Sequence, residues 1–229
     1  MSRRPGRADL PLHGGRVPAW LASLRSEAAP VDNPDLLQDT ECATPLDGRC
    51  FAYVFPCQWE DHCKIGFSHD PLARIAALHP RWFGFFDLQA GVLVEAESQR
   101  DARDLELELR AGLGAHNAPA PMAIRAQAGG HTEWFRGVAL RMSERVAALR
   151  ARGYRVHGLH AWLRAALEAR RDLLHDWSLA QLSIDELEGR AGSTPCQRGV
   201  RDYLDAHDAL GLSVDPYLAA SVRGWYRDG

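Results

Sequence analysis

Of the 27 basic residues in this 229-residue chain, Lys64 alone is lysine and all the others are arginine. A chain so biased toward arginine that keeps one lysine marks a position where a compact, titratable ammonium differs from a planar guanidinium. Chance placement is the bland alternative. Glu106 stands out for another reason. At about 100° per residue, a helix running from about Ser98 to Leu113 puts Glu106 in the same sector as Ala102, Leu105, Leu109 and Leu113. Asp104 and Glu108 fall on the opposite, solvated face. A carboxylate on the core side needs a cation or a metal beside it, because burying an unpaired charge is costly. A purely structural ion pair would meet the same demand. Cys50, Cys57, His62, Cys63 and His69 lie close together, but no CxxC pair of the structural-zinc kind occurs among them. On a strand His62 and Cys63 point to opposite faces, so free thiols are expected rather than zinc.

The elements that would position these residues follow from local signals. Residues 1–47 are rich in Pro, Gly and Asp and read as a loosely structured extension, with one short amphipathic piece at Val17–Leu24. FAYVF (51–55) reads as a strand, WEDH as a turn and CKIGF (63–67) as a second strand, together an antiparallel hairpin. Asp70 is a helix N-cap and Pro71 an N1 residue, for a helix through Leu78 that Pro80 ends. Phe85–Ala96 reads as a third strand. Gly114 and the NAPAPM segment stop the helix bearing Glu106. After a Gly-rich loop come HTEWF and a helix from about Ser143 to Arg152. Residues 154–229 read as helices at roughly His160–His175, Ile184–Arg190, Gln197–Leu210 and Tyr217–Tyr226, a helical unit of its own.

Composition bounds the function class. A hydrophobic fraction of 46% suffices for a core, and no apolar run has the length of a membrane span. Five cysteines, an odd number without a secretory segment, point to reduced thiols and a cytoplasmic protein. The net charge of −3 gives no global footprint for nucleic acid. Residues 48–153 carry thirteen Lys/Arg against twelve acids and are the only part without an acidic excess. A local basic groove remains compatible with that balance.

The order AYVF (52–55), KIG (64–66), a helix bearing Arg74, a later helix bearing Glu106 and TEWF (132–135) resembles the GIY-YIG nuclease superfamily. The likeness is to a phage and bacterial branch in which KIG replaces YIG and Glu-Trp-Phe closes the domain. It runs from about Phe51 to Val138, under half the chain, within a domain expected at 48–153, and Phe51, Ala52 and Lys64 depart from the usual GIY and YIG residues.

The resemblance implies an α/β fold of the α+β kind: a three-stranded antiparallel sheet flanked by helices, here followed by an all-helical region. It also implies hydrolysis of DNA phosphodiesters with one divalent metal, Mg²⁺ or Mn²⁺. Carried over by motif, Glu106 is the metal ligand, Arg74 faces the scissile phosphate and Tyr53 positions or activates water. Lys64 replaces the second tyrosine as electrostatic stabiliser, base or phosphate contact. Glu133, His116 and His131 stand behind these as supporting groups. The chemistry is coherent, since a hard metal held by carboxylate and water plus a guanidinium fork can stabilise phosphoryl oxygens and a hydroxide-like nucleophile. Two other readings compete. One is a catalytically inactive relative that binds nucleic acid or protein; the other gives the helical tail a protein partner, which exposed Trp162, Trp177, Trp225 or Tyr226 would support.

Overall fold

A computed structural model describes residues 49–128 and 132–228. The N-terminal extension, with its expected helix at Val17–Leu24, and His131 lie outside the described residues.

The chain opens with β1 (Cys50–Pro56) and β2 (His62–Ser68), paired as the expected hairpin with Tyr53 opposite Gly66 and Phe55 opposite Lys64. Helix α1 (Pro71–Leu78) begins where its local signals put it, with the Asp70 carboxylate accepting the Ala73 N–H at 2.9 Å. The expected strand Phe85–Ala96 is shorter than its sequence suggests. A short helix α2 (Trp82–Phe85) comes first, and the buried Asp87 carboxylate accepts the N–H groups of Gln89 and Ala90, each at 3.0 Å. That side-chain turn breaks the apolar run, so β3 spans only Val92–Ala96. Helix α3 (Gln99–Arg110) starts on a Ser98 cap and ends short of Leu113, where Gly112 adopts a φ of 69°.

The sheet has five strands, not three, in the order β4-β2-β1-β3-β5, all antiparallel. Strand β4 (Trp134–Arg136) begins at the Trp-Phe of the closing TEWF segment and pairs with β2. Strand β5 (Val156–Gly158) pairs with β3 and comes from the region expected to be all-helical. The sheet therefore runs past residue 153. Both added strands are three residues long, too short to show a period of two.

Helices cover both faces of the sheet, which is why the central strand reads as an unbroken apolar run rather than an alternation. One face packs Phe51, Tyr53, Phe55, Leu93 and Trp134 against α1, α2 and α5 (Leu159–Glu168). The other packs Ala52, Val54, Ile65 and Val94 against α3 and α4 (Ala139–Ala151). Beyond α5 run α6 (Leu174–Gln181), α7 (Ile184–Leu187), α8 (Pro195–Ala209) and α9 (Ala220–Asp228). Leu174, Val200, Leu204, Val222 and Tyr226 form a smaller core of their own, while Ala206 and Leu210 join the sheet's first core. Trp162 and Tyr226 are buried, and Trp177 and Trp225 are half-buried against that smaller core. No helix among the described residues is long and apolar enough to cross a membrane.

Candidate active site

Directly opposed residues in an antiparallel pair share a face, as do residues two apart on one strand. Tyr53, Phe55, Lys64 and Gly66 therefore project to the same side, and the register of β2 with β4 adds Trp134 opposite Lys64. Tyr53 stacks on Phe55 with ring centroids 4.1 Å apart. Both Tyr53 and Lys64 are 1% exposed.

Buried polar groups require partners, and those of this face come from elements far apart in sequence. From α1, the Arg74 Nε donates to the Tyr53 hydroxyl at 3.0 Å, and its terminal nitrogen donates to the Ala128 carbonyl. Just before β4, Glu133 takes the Lys64 ammonium on Oε2 at 2.7 Å and the Thr132 hydroxyl on Oε1 at 2.9 Å. The Lys64 ammonium also lies 6.0 Å from the centre of the Trp134 ring.

Glu106 is buried on α3, as its place in the apolar stripe predicts, and its Oε1 accepts an N–H of Arg110 at 3.0 Å. The same guanidinium nitrogen stands 3.9 Å from Glu133 Oε1. Lys64, Glu133, Arg110 and Glu106 thus form a line of alternating charge, with Arg74 and Tyr53 beside it.

The electrostatics follow from this burial. Desolvation pushes the Glu106 carboxyl above its ordinary range, with Arg110 opposing. It raises the Tyr53 phenol against the pull of Arg74, and it lowers the Lys64 ammonium despite the Glu133 bond. Burial also works upward on Glu133, but the hydrogen bonds from Lys64 and Thr132 outweigh it and hold the carboxyl below its usual value.

A hard divalent cation at Glu106 would have one carboxylate oxygen to bind. One oxygen is engaged by Arg110, and among the described residues no hydrogen bond reaches Oε2. No group of three His, Cys, Asp or Glu side chains that could hold a metal occurs among the described residues. A cation at Glu106 would keep most of its coordination as water, the habit of Mg²⁺ rather than of structural zinc. The thiols near the hairpin are buried and unpaired, with that of Cys63 pushed up to about 12 by burial. They are inert packing groups.

Not every candidate joins the cluster. His116 is half-buried, and its Nδ1 donates to the Arg136 carbonyl at 3.0 Å, at the end of β4. His131 lies outside the described residues. Two participants escaped the sequence reading. Arg110 had a visible signal, its i,i+4 spacing from Glu106. Asn117 had none: its amide donates to the Thr132 and Trp134 carbonyls at 2.7 and 3.1 Å, holding the backbone on both sides of Glu133. An open groove lined by Glu95, Glu97, Asp104, Glu108, Arg152 and Arg155 holds none of these residues. No family model, curated protein or solved structure matches the chain.

Proposed function

We propose that the chain is a metal-dependent DNA endonuclease with a GIY-YIG-like site, and that it works in the cytoplasm. The observation that carries this reading is the convergence of Tyr53, Lys64, Arg74, Glu106 and Glu133, contributed by two strands, two helices and a loop, on one charged cluster. With Arg110, which pairs with Glu106, three cations against two carboxylates leave the cluster net positive in a chain whose net charge is −3. That local sign suits a phosphodiester.

Within this reading a divalent cation at Glu106 supplies Lewis acidity and a water of lowered pKa. The protein's own groups do the rest. Glu106 would hold the cation. Arg74, fixed by the Tyr53 hydroxyl, offers its planar fork to phosphate oxygens once it leaves the Ala128 carbonyl. Tyr53 orients through its hydroxyl, and it stays protonated because burial raises its pKa. Lys64 is turned to Glu133 and shut from solvent, so its role is to fix that carboxylate and to add positive field.

The same burial of Lys64 favours the runner-up, a module that binds nucleic acid without cutting, because the residue replacing a catalytic tyrosine does not reach solvent. A protein partner for the tail finds less support, since Trp162 and Tyr226 are core residues. The deciding experiment is cleavage of supercoiled, linear, branched and single-stranded DNA with Mg²⁺ or Mn²⁺, comparing wild type with Glu106→Ala and Arg74→Ala. Cleavage lost in both variants, with folding retained, upholds the nuclease. Binding without cleavage by wild type overturns it in favour of the module.

A further inference from the structure

We propose that Arg110 is the resident counter-ion of the Glu106–Glu133 pair, and that its guanidinium sets how tightly the site takes a divalent cation. This rests on the reading that Glu106 receives the cation.

An arginine in the last turn of a helix ordinarily serves the C-terminal carbonyls. Here that task is already filled from another element. Arg145, on α4, donates to the carbonyls of Leu109 and Ala111, the latter at 2.6 Å. Arg110 is left to the carboxylates, 3.0 Å from Glu106 Oε1 and 3.9 Å from Glu133 Oε1.

Burial then separates this pair from an ordinary surface i,i+4 contact. The Glu106 side chain is 10% exposed and that of Arg110 34%. The carboxylate is fixed and desolvated, while the guanidinium has a path to water. Glu133 cannot balance Arg110 alone, because its oxygens already accept from Lys64 and Thr132. The other cations facing the cluster are committed, Lys64 to Glu133 and Arg74 to Tyr53 and Ala128. Arg103 adds a weaker pull on Glu106 from the same helix. Arg110 is therefore the cation that a metal at Glu106 must repel or displace. Like charges at a few ångströms in a partly desolvated site oppose each other strongly, so Arg110 lowers cation occupancy while keeping the empty carboxylate paired.

The test needs no DNA. Free Mn²⁺ is followed by electron paramagnetic resonance during titration of the full chain, as wild type, Arg110→Ala, Arg110→Lys and Glu106→Gln. Arg110→Ala is expected to bind Mn²⁺ about tenfold more tightly, the scale of removing one nearby like charge. Arg110→Lys, which keeps the charge, stays close to wild type, and Glu106→Gln abolishes the site. Should Arg110→Ala lose its thermal transition, Arg110→Gln, which retains a polar stem, gives the same reading. Unchanged or weaker Mn²⁺ binding in the neutral variants, or no binding that depends on Glu106, overturns the proposal. The two readings fail separately. Tighter Mn²⁺ binding without cleavage of any DNA sinks the nuclease and leaves the counter-ion. Glu106-dependent cleavage with Mn²⁺ affinity indifferent to Arg110 does the reverse.

Discussion

Gly66 lies directly opposite Tyr53 across the β1–β2 ladder, and a Cβ built on it would stand 2.4 Å from the Tyr53 hydroxyl oxygen and 2.6 Å from the ring carbon that bears it. Glycine in a strand interior is unfavourable unless something approaches closely. Here the tyrosine ring fills the missing side chain's place and reaches Arg74 from there. Gly66→Ala should push the ring away, break the Arg74 contact and destabilise the fold by ~1–3 kcal/mol, the usual scale of overpacking. Denaturant melts would measure the loss. A stability equal to wild type would mean that the ring has room the geometry denies.

The Lys64–Glu133 pair makes an asymmetric prediction. Glu133→Ala strands an ammonium that is 1% exposed and should cost ~3 kcal/mol. Lys64→Met combined with Glu133→Gln removes both charges and should cost much less. Comparing the single and double variants by urea unfolding decides the point. A double variant as unstable as the single one would show that Lys64 contributes through packing.

The tail's attachment can be apportioned. Arg81 reaches Asp202 at 3.2 Å and Asp205 at 2.7 Å, but these are exposed pairs. Arg81→Ala should cost under ~1 kcal/mol. Trp162 is buried in the sheet's own core beside Phe51, with ring centroids 5.3 Å apart, and Trp162→Ala should cost ~3–5 kcal/mol. By the same reasoning, a chain stopped at Gly153 uncovers one sheet face and should lack a cooperative melt. A sharp transition in that truncated chain would show 48–153 to be a self-sufficient domain.

Stability should also fall on the acid side of neutrality. His207 is fully buried on α8, with Nδ1 donating to the Tyr203 carbonyl at 2.9 Å. Burial lowers its pKa, and it does the same to His79. The sign follows from proton counting: below about 6.5 the unfolded chain binds protons that the folded chain refuses, so stability declines as pH falls toward the depressed folded values. Glu106, whose carboxyl burial raises, works in the opposite direction. Melting temperatures between pH 7.5 and 5 should drop for wild type and drop less for His207→Gln. An identical slope in the variant would assign the effect to other groups.

Some of this site was legible in the sequence because its causes are local. The Asp70 cap, Pro71 and Pro80 bracket α1 through bonds within a few residues, and they place Arg74 on it. The burial of Glu106 follows from helical periodicity alone. The strand expected over Phe85–Ala96 is only Val92–Ala96 because one side chain, Asp87, makes a turn inside an apolar run.

What the sequence determined by itself is the hairpin, the helices carrying Arg74 and Glu106, and the need of Glu106 for a partner, since each depends on neighbours one turn or one strand pair away. The tertiary structure decided the partners. Lys64 meets Glu133 only because β4 pairs with β2, and Tyr53 meets Arg74 only because α1 packs on the tyrosine's face of the sheet. The tail belongs to the sheet only because β5 pairs with β3. Three-residue edge strands carry almost no periodic signal, and long-range pairing is set by which surfaces must be buried together, a property of the assembled chain rather than of any segment.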